Sequence, residues 1–296
     1  MRYVVAGASG FLGTALTGDL ARDGHDVVRL VRREAGQPGE HRWDPYAGEL
    51  DPAVLADADV VVNLAGATIG RPWTPSYKKV IRESRVRTTA TLAGAVAATS
   101  NPPALLVQSG IGGYGNDRGD ELLDEESELG SGFLADVVRL WEGAAAPAVE
   151  AGARVCYLRT GVVLDPGALA FKLISLPFRL GLGGRLGSGR QYFPVLSLTD
   201  WLRALRFVAE HNELSGPVNL CLPEPATNTE FAKALASALH RPALLPVPGF
   251  AIKAATGDLA WEVLGSTRAM PARLLHEGFE FKHPTVASAV TSAVRR

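Results

Sequence analysis

The sequence predicts an α/β fold in which helices cover both faces of a doubly wound parallel sheet. Short runs rich in valine and leucine alternate with longer amphipathic segments through the first half of the chain. These runs show little polar alternation, as expected of parallel strands that are buried on both faces. A glycine-rich turn joins the first run to the first amphipathic segment. The regular alternation of apolar runs and amphipathic segments ends after Leu164. A smaller C-terminal α/β domain is therefore expected after the sheet.

Five strands are predicted in the first half: Arg2 to Ala6, His25 to Val31, Val60 to Ala65, Leu105 to Ser109 and Val155 to Arg159. Three helices are predicted between them: Phe11 to Arg22, Pro75 to Thr99 and Gly132 to Glu150. In the first helix leucine recurs every four residues, and Gly24 follows as a stop signal. The alternation of strand and helix implies right-handed βαβ units and an open parallel sheet.

The second part of the chain carries its own helix and loop signals. Glycine and arginine crowd Phe178 to Arg190, which predicts a loop folded around a ligand. Thr199 and Asp200 predict the cap of a helix that starts at Trp201, and Thr227 with Glu230 predicts a capping box.

Composition excludes several classes of function. The formal net charge is −1 over 296 residues, so no global field attracts nucleic acid or an anionic membrane. Apolar stretches are interrupted by charge before they could span a membrane, and the first residues do not read as a signal peptide. Cys156 and Cys221 lie far apart in apolar runs, so we expect two buried thiols rather than a disulfide. The six histidines lack the spacing of metal ligands. We expect a cytoplasmic monomer or homodimer without metal, membrane or nucleic acid.

The strongest functional signal is the glycine turn Gly7-Ala8-Ser9-Gly10-Phe11-Leu12-Gly13 between the first strand and the first helix. A dinucleotide site needs glycines for the tight turn, for close approach of the pyrophosphate and for helix–strand packing. The helix N-terminus then offers free N–H groups to the phosphates. The predicted cofactor-binding residues of this turn are Gly7, Ser9, Gly10, Phe11, Leu12 and Gly13. The alternative, a tight turn without a ligand, is disfavoured by the strand–turn–helix context.

The end of the second strand selects the cofactor. NAD sites carry an acidic residue there for the ribose 2′-hydroxyl, whereas this chain has Val31 followed by Arg32 and Arg33. Two guanidinium groups suit a 2′-phosphate, so the predicted cofactor is NADP(H). The alternative is a solvated arginine pair beside Glu34.

A second cofactor contact is predicted at Leu64, Ala65 and Gly66, where small residues let the backbone lie close under the adenosine half. Simple packing of a strand end explains these residues equally well. Residues 1–164 are thus predicted to form an NADP(H)-binding Rossmann-like domain. Residues 165–296 are predicted to form the smaller substrate-side domain, with some segments returning to the sheet.

Together these features resemble the extended short-chain dehydrogenase/reductase superfamily, and most closely an epimerase-like branch named after nucleoside-diphosphate-sugar epimerases. The resemblance spans nearly the whole chain and is carried by Gly7 to Gly13, Asn63 to Gly66, Ser84-Arg85, Ser109 to Gly115, Phe133-Leu134, Trp141-Glu142, Arg159 to Leu164, Gly181 to Gln191, Pro223 to Pro225, His240 to Pro242 and Leu274 to Pro284. It implies a nicotinamide cofactor and a small-molecule substrate.

The superfamily's Tyr-x-x-x-Lys pair, which transfers a proton while nicotinamide transfers a hydride, does not occur in this sequence. Alignment on Glu142 puts Leu134 and Val138 in the two positions, and neither side chain transfers a proton. The resemblance suggests Ser109, at the end of the Leu105 strand, and Tyr114 as catalytic substitutes. The alternatives are that Ser109 only caps its strand and that Tyr114 only packs over the cofactor.

The resemblance also places two arginines at substrate positions. Arg85 matches an active-site asparagine of related enzymes, and Arg190 matches a substrate-phosphate position of sugar-nucleotide epimerases. Both would suit an anionic substrate. The alternative for Arg85 is a solvated helix face that it shares with Lys78 and Arg82. Two functions follow as hypotheses: an NADP(H)-dependent oxidoreductase or epimerase on a small anionic or nucleotide-linked substrate, or a non-catalytic NADP(H) sensor.

Overall fold

The computed structural model of the protein describes residues 1–243 and 245–295. Its strands are β1 (Arg2–Ala6), β2 (Asp26–Val31), β3 (Glu40–Arg42), β4 (Val60–Asn63), β5 (Ala104–Gly110), β6 (Asp117–Leu123), β7 (Val155–Thr160), β8 (Val162–Leu164), β9 (Val195–Ser197), β10 (Gly216–Leu220) and β11 (Ser266–Ala269). Its α-helices are α1 (Phe11–Arg22), α2 (Pro75–Ala97), α3 (Phe133–Gly143), α4 (Ala146–Glu150), α5 (Leu169–Arg179), α6 (Leu198–Glu210), α7 (Asn228–Ala238), α8 (Gly249–Thr256), α9 (Ala260–Leu264), α10 (Ala272–His276) and α11 (Val286–Val294). Short 3₁₀ turns cover Pro52–Leu55, Ile111–Tyr114 and Gly257–Leu259.

Seven strands form one parallel sheet in the order β10-β7-β5-β4-β1-β2-β3. The order runs outward in both directions from β1 and β4, which is the doubly wound arrangement, so the predicted fold class is confirmed. Two further parallel pairs, β6 with β11 and β8 with β9, lie outside this sheet.

Alternate residues of β1 explain why its sequence lacks a polar face. Tyr3 and Val5 pack in one core with Leu16 of α1 and Trp201 of α6. Val4 and Ala6 pack in a second core on the opposite face, together with residues of α2 and with Trp141. Helices therefore bury both sides of the strand.

Several elements differ from the prediction. Strand β3 was not predicted, because Glu40-His41-Arg42 is short, polar and at the sheet edge. Strand β10 was not predicted as a strand; it pairs with β7 in the large sheet, and so it is one of the segments after position 164 that return to the sheet. The helix predicted over Gly132 to Glu150 is two helices, α3 and α4.

Helix starts in the second half were predicted with mixed success. Helix α6 begins at Leu198 rather than Trp201, because the Ser197 hydroxyl, and not Thr199, accepts the backbone N–H of Asp200 as N-cap. The predicted capping box of Thr227 and Glu230 is present at the start of α7. Helices α5, α7 and α11 surround a third core.

Both cysteines are buried free thiols, as predicted. Within the described ranges, the helices are all too short or too polar to reach across a lipid bilayer.

Candidate cofactor and substrate site

The turn after β1 is built around glycines that other residues could not replace. Gly7 has a φ of +80°, and a Cβ added there would lie 2.6 Å from the carbonyl carbon of Leu64. A Cβ on Gly13 would collide with the backbone oxygen of Gly7. The first glycine therefore permits the turn and the last one permits the helix to pack against it.

Helix α1 opens with unused hydrogen-bond donors. Gly10 N–H donates to the Gly7 carbonyl at 3.0 Å, and Thr14 N–H donates to the Gly10 carbonyl at 2.8 Å. Between them, the N–H groups of Phe11, Leu12 and Gly13 have no acceptor among the described residues, and no side chain caps the helix. Three free amides at the positive end of a helix are the chemistry that a pyrophosphate requires.

A cleft of about 1020 Å³ extends from this turn along the carboxyl ends of β1, β2 and β4. Eight of the predicted cofactor residues line it: Gly7, Ser9, Gly10, Arg32, Arg33, Leu64, Ala65 and Gly66. Phe11, Leu12 and Gly13 do not, because the Phe11 ring turns toward Gly167, Leu12 packs on the first core and Gly13 is buried against the Gly7 backbone. These three residues would contribute only their backbone amides.

The cleft also has a wall that sequence reasoning missed. It consists of Thr14, Thr17, Arg29, Gln37, Glu40, Trp43, Pro45, Tyr46, Ser84 and Thr88, among others. Trp43, Pro45 and Tyr46 follow the unpredicted strand β3, so the signal was lost with that strand. Ser84 and Thr88 lie on one face of α2, four residues apart, which a search for polar residues on that helix face could have found.

The two arginines after β2 have different surroundings. Arg33 forms a two-pronged ion pair with Glu40, with N···O distances of 2.8 and 2.6 Å. Hydrogen bonds from Arg33 and from the Gly36 amide lower the pKa of Glu40 to about 2. Arg32 has no ion-pair partner within the described residues, while Glu34 pairs with Arg42. Arg32 is therefore the guanidinium that is free to receive a 2′-phosphate.

Ser109 and Tyr114 lie in a buried polar network rather than on the wall of the cleft. The Ser109 hydroxyl donates to Glu142 Oε1 at 2.7 Å, and Glu142 accepts two bonds from Arg159 at 2.9 and 2.8 Å. The Tyr114 hydroxyl donates to Asn219 Oδ1 at 2.9 Å and accepts from Arg159 Nη1 at 3.1 Å.

This network argues for a structural role of both hydroxyls. Tyr114 is fully buried, and burial raises its pKa to about 12, so its phenol stays protonated at neutral pH. Ser109 is 2% exposed. Neither environment resembles that of a side chain that exchanges protons with a ligand. The structure therefore offers no support for a catalytic role of Ser109 and Tyr114, which stays a prediction.

The positions aligned with the missing Tyr-x-x-x-Lys pair are filled by packing residues. Leu134 and Val138 of α3 lie against the 3₁₀ turn after β5, where their side-chain carbons approach Gly112 and Gly113. A Cβ on Gly113 would be 2.7 Å from Val138 Cγ1. The apolar pair thus seals the space beside that turn.

The two predicted substrate arginines are separate. Arg85 is half-buried on α2, where its Nη1 donates to the carbonyls of Ala67 and Ile81, each at 3.0 Å. The alternative of a solvated helix face fits only the exposed Arg82, because Arg85 is half-buried and Lys78 pairs with Asp258 at 2.6 Å. Arg190 is exposed in the loop between α5 and β9, and no described contact joins it to Arg85.

A doubly wound sheet with a glycine turn, three free amides and a cleft along the strand ends defines a Rossmann-type dinucleotide-binding protein. The family model described as "NAD dependent epimerase/dehydratase family" matches residues 3–221, and a "Domain of unknown function (DUF1731)" matches residues 247–293. The chain belongs to the NAD-dependent epimerase/dehydratase family, and its resemblance to extended short-chain dehydrogenases/reductases of the epimerase type is confirmed.

Relatives match over their full length or a large part of it. The epimerase family protein Mb2239 of Mycobacterium bovis is 44% identical over 294 residues, covering 99% of this chain and 97% of the relative. The crystal structure of human epimerase family protein SDR39U1 with NADPH is 34% identical, with a TM-score of 0.90 and complete coverage of both chains. A nucleoside-diphosphate sugar epimerase from Corynebacterium glutamicum is 35% identical, with a TM-score of 0.83, over 99% of this chain and 58% of that one.

Proposed function

We propose that this chain binds NADP(H) in the cleft at the carboxyl ends of β1, β2 and β4 and uses it as an oxidoreductase or epimerase. The substrate would be a small molecule that is anionic or linked to a nucleotide. The observation that carries the proposal is the set of three unused amides at the start of α1, with Arg32 unpaired at the other end of the same cleft.

The cofactor is the best-supported part of this function. The chain belongs to an NAD-dependent family, and its human relative was crystallised with NADPH. The amides of Phe11, Leu12 and Gly13 would receive the pyrophosphate, and Arg32 the 2′-phosphate. Bound NADP(H) supplies reversible hydride transfer. The protein supplies the turn that holds the phosphates.

A second candidate function is NADP(H) sensing without catalysis. It is favoured by one observation: Leu134 and Val138 pack against glycines at the positions of the superfamily's proton-transfer pair. In that case a partner protein would recognise the cofactor-bound form of this chain. For either function we expect a cytoplasmic monomer or homodimer, in which residues 165–296 form the substrate side.

Calorimetric titration with NADPH and NADH tests the cofactor. NADPH should bind at least ten-fold more tightly, and Arg32→Gln should remove most of that difference by lowering only the affinity for NADPH. NADH is the internal control, because it lacks the phosphate that Arg32 would contact. Equal affinities of the wild type for both cofactors would contradict the assignment.

Turnover separates the two functions. Reduction of carbonyl compounds is followed as NADPH oxidation at 340 nm. Epimerisation of nucleotide sugars returns the hydride and consumes no net cofactor, so it is followed by chromatography of the sugar product. Turnover of any compound above the uncatalysed rate establishes the enzyme. Tight NADPH binding with no turnover across the panel favours the sensor.

A further inference from the structure

Arg85 carries a charge that no carboxylate balances within the described residues. Its Nη1 is bound to the carbonyls of Ala67 and Ile81, and its guanidinium carbon lies 4.9 Å from the centroid of the Trp141 ring. Its Nη2 and Nε have no acceptor in that part of the chain, and neither atom is sealed from solvent. Two donors of a half-buried guanidinium are therefore open to a ligand.

A comparison with Arg154 shows what a purely structural arginine looks like in this fold. Arg154 also lacks a carboxylate partner among residues 1–243 and 245–295, but backbone carbonyls at the end of α6 occupy both of its terminal nitrogens. Its Nη1 donates to Val208 at 2.9 Å, and its Nη2 donates to Ala209 at 2.8 Å. The carbonyl end of a helix also favours a cation. Arg85 has neither a second engaged terminal nitrogen nor a helix end beside it.

The guanidinium of Arg85 lies directly behind residues that line the dinucleotide cleft. A Cβ added to Gly66 would lie 3.4 Å from the guanidinium carbon and 3.5 Å from Nη1, so only a glycine backbone separates the arginine from the cleft at this point. Gly66, Ser84 and Thr88 all line the cleft. Burial lowers the pKa of Arg85 to about 10, so the side chain remains charged at neutral pH. A partly desolvated charge without a counter-ion is costly, and an incoming anion would offset that cost.

We propose that Arg85 forms an anion subsite at the Gly66 end of the cleft, where Nη2 and Nε bind a phosphate or carboxylate group of a ligand. The subsite rests on the proposed NADP(H) function, because it uses the same cleft. The anionic group belongs either to the cofactor or to a substrate that lies beside it. Trp141 and the two carbonyls hold the guanidinium plane in place for such a fork.

Inorganic phosphate is the probe for the subsite in solution. It is titrated by calorimetry into the NADPH-saturated and the cofactor-free protein at constant ionic strength. Arg85→Gln should weaken phosphate binding at least ten-fold, whereas Arg82→Gln, which removes an exposed charge from the same helix, should not. Arg85→Lys should bind with intermediate affinity, because it keeps the charge without the fork.

The two sources of the anion give different results. If Arg85→Gln lowers the affinity for NADPH at least ten-fold, the anion is a cofactor phosphate. If NADPH binds unchanged but phosphate no longer binds the NADPH complex, the anion belongs to the substrate. Unchanged affinity for both ligands overturns the subsite.

Wild-type crystals provide a test that does not depend on folding of the variants. After a soak in tungstate, an anomalous peak within contact of the Arg85 guanidinium supports the subsite, and its absence there overturns it. Failure of the wild type to bind NADPH, together with a tungstate peak at Arg85, would reject the cofactor assignment while the anion subsite stands.

Discussion

The buried ion pair of Glu142 and Arg159 predicts a large loss of stability on replacement of one partner. The side chains are 11% and 7% exposed, and two hydrogen bonds join them. Glu142→Ala leaves an uncompensated buried guanidinium, which typically costs about 3–5 kcal/mol. The Ser109 hydroxyl also loses its acceptor, at a further cost of about 1 kcal/mol. We expect a loss of about 4–6 kcal/mol, against a total stability of about 5–15 kcal/mol for a domain.

Urea unfolding followed by tryptophan fluorescence measures this loss. Glu83→Ala is the control, because Glu83 pairs with Lys79 on the surface at 3.7 Å and its loss should cost less than about 1 kcal/mol. A double variant, Glu142→Leu with Arg159→Met, removes both charges and should recover at least about 2 kcal/mol relative to Glu142→Ala. The reasoning is refuted if Glu142→Ala costs no more than Glu83→Ala, or if the double variant is no more stable than the single one.

Three further outcomes follow from single positions. Gly7→Ala forces a side chain into a φ of +80° against the Leu64 backbone, so we expect a loss of more than about 1–2 kcal/mol in urea and much weaker NADPH binding; retained affinity would contradict the role of the turn. The folded-state pKa of Glu40, about 2, is below its ordinary value of 4.5. The contribution of the Glu40 carboxylate to the free energy of unfolding is therefore complete above pH 4.5 and is lost as the pH falls toward 2. Glu40→Gln should make the free energy of unfolding depend less on pH over that interval, and an unchanged pH dependence would argue against the ion pair with Arg33. Tyr114→Phe should lower stability by about 1–3 kcal/mol and leave NADPH affinity unchanged; weaker binding of NADPH would place the phenol at the cofactor instead.

Local signals made the Rossmann half of the fold predictable. The glycine turn and the leucine spacing of α1 each depend on residues within one turn or one helix, and the helix has the predicted bounds. Strand β3 was missed because it has three residues, two of them exposed, and is defined by pairing with β2. Strand β10, which lies after the predicted domain boundary, was missed for the same reason, because it is defined by pairing with β7 far earlier in the chain.

The candidate site divides in the same way. The free amides at the start of α1 are properties of one strand–turn–helix unit, so the sequence predicts them. The two-pronged ion pair between Arg33 and Glu40 forms because the connection between β2 and β3 folds back. Arg33 is therefore paired, whereas Arg32 has no ion-pair partner within the described residues. The hydroxyls of Ser109 and Tyr114 depend on partners 33 and 105 residues away, which no local pattern reveals.

The position of that buried network bears on whether the protein is a catalyst. Superfamily chemistry needs a group that gives and takes a proton next to the reacting carbon. Here the hydroxyls that sequence comparison offers are fixed by Glu142, Arg159 and Asn219, so moving a proton through them would break bonds in the core. A catalytic protein would therefore need its proton donor on the substrate side of the cleft, or on the substrate itself. Arg85, whose guanidinium lies beside Gly66, is the residue we propose to orient an anionic substrate of that kind, and with a pKa of about 10 it stays charged at neutral pH.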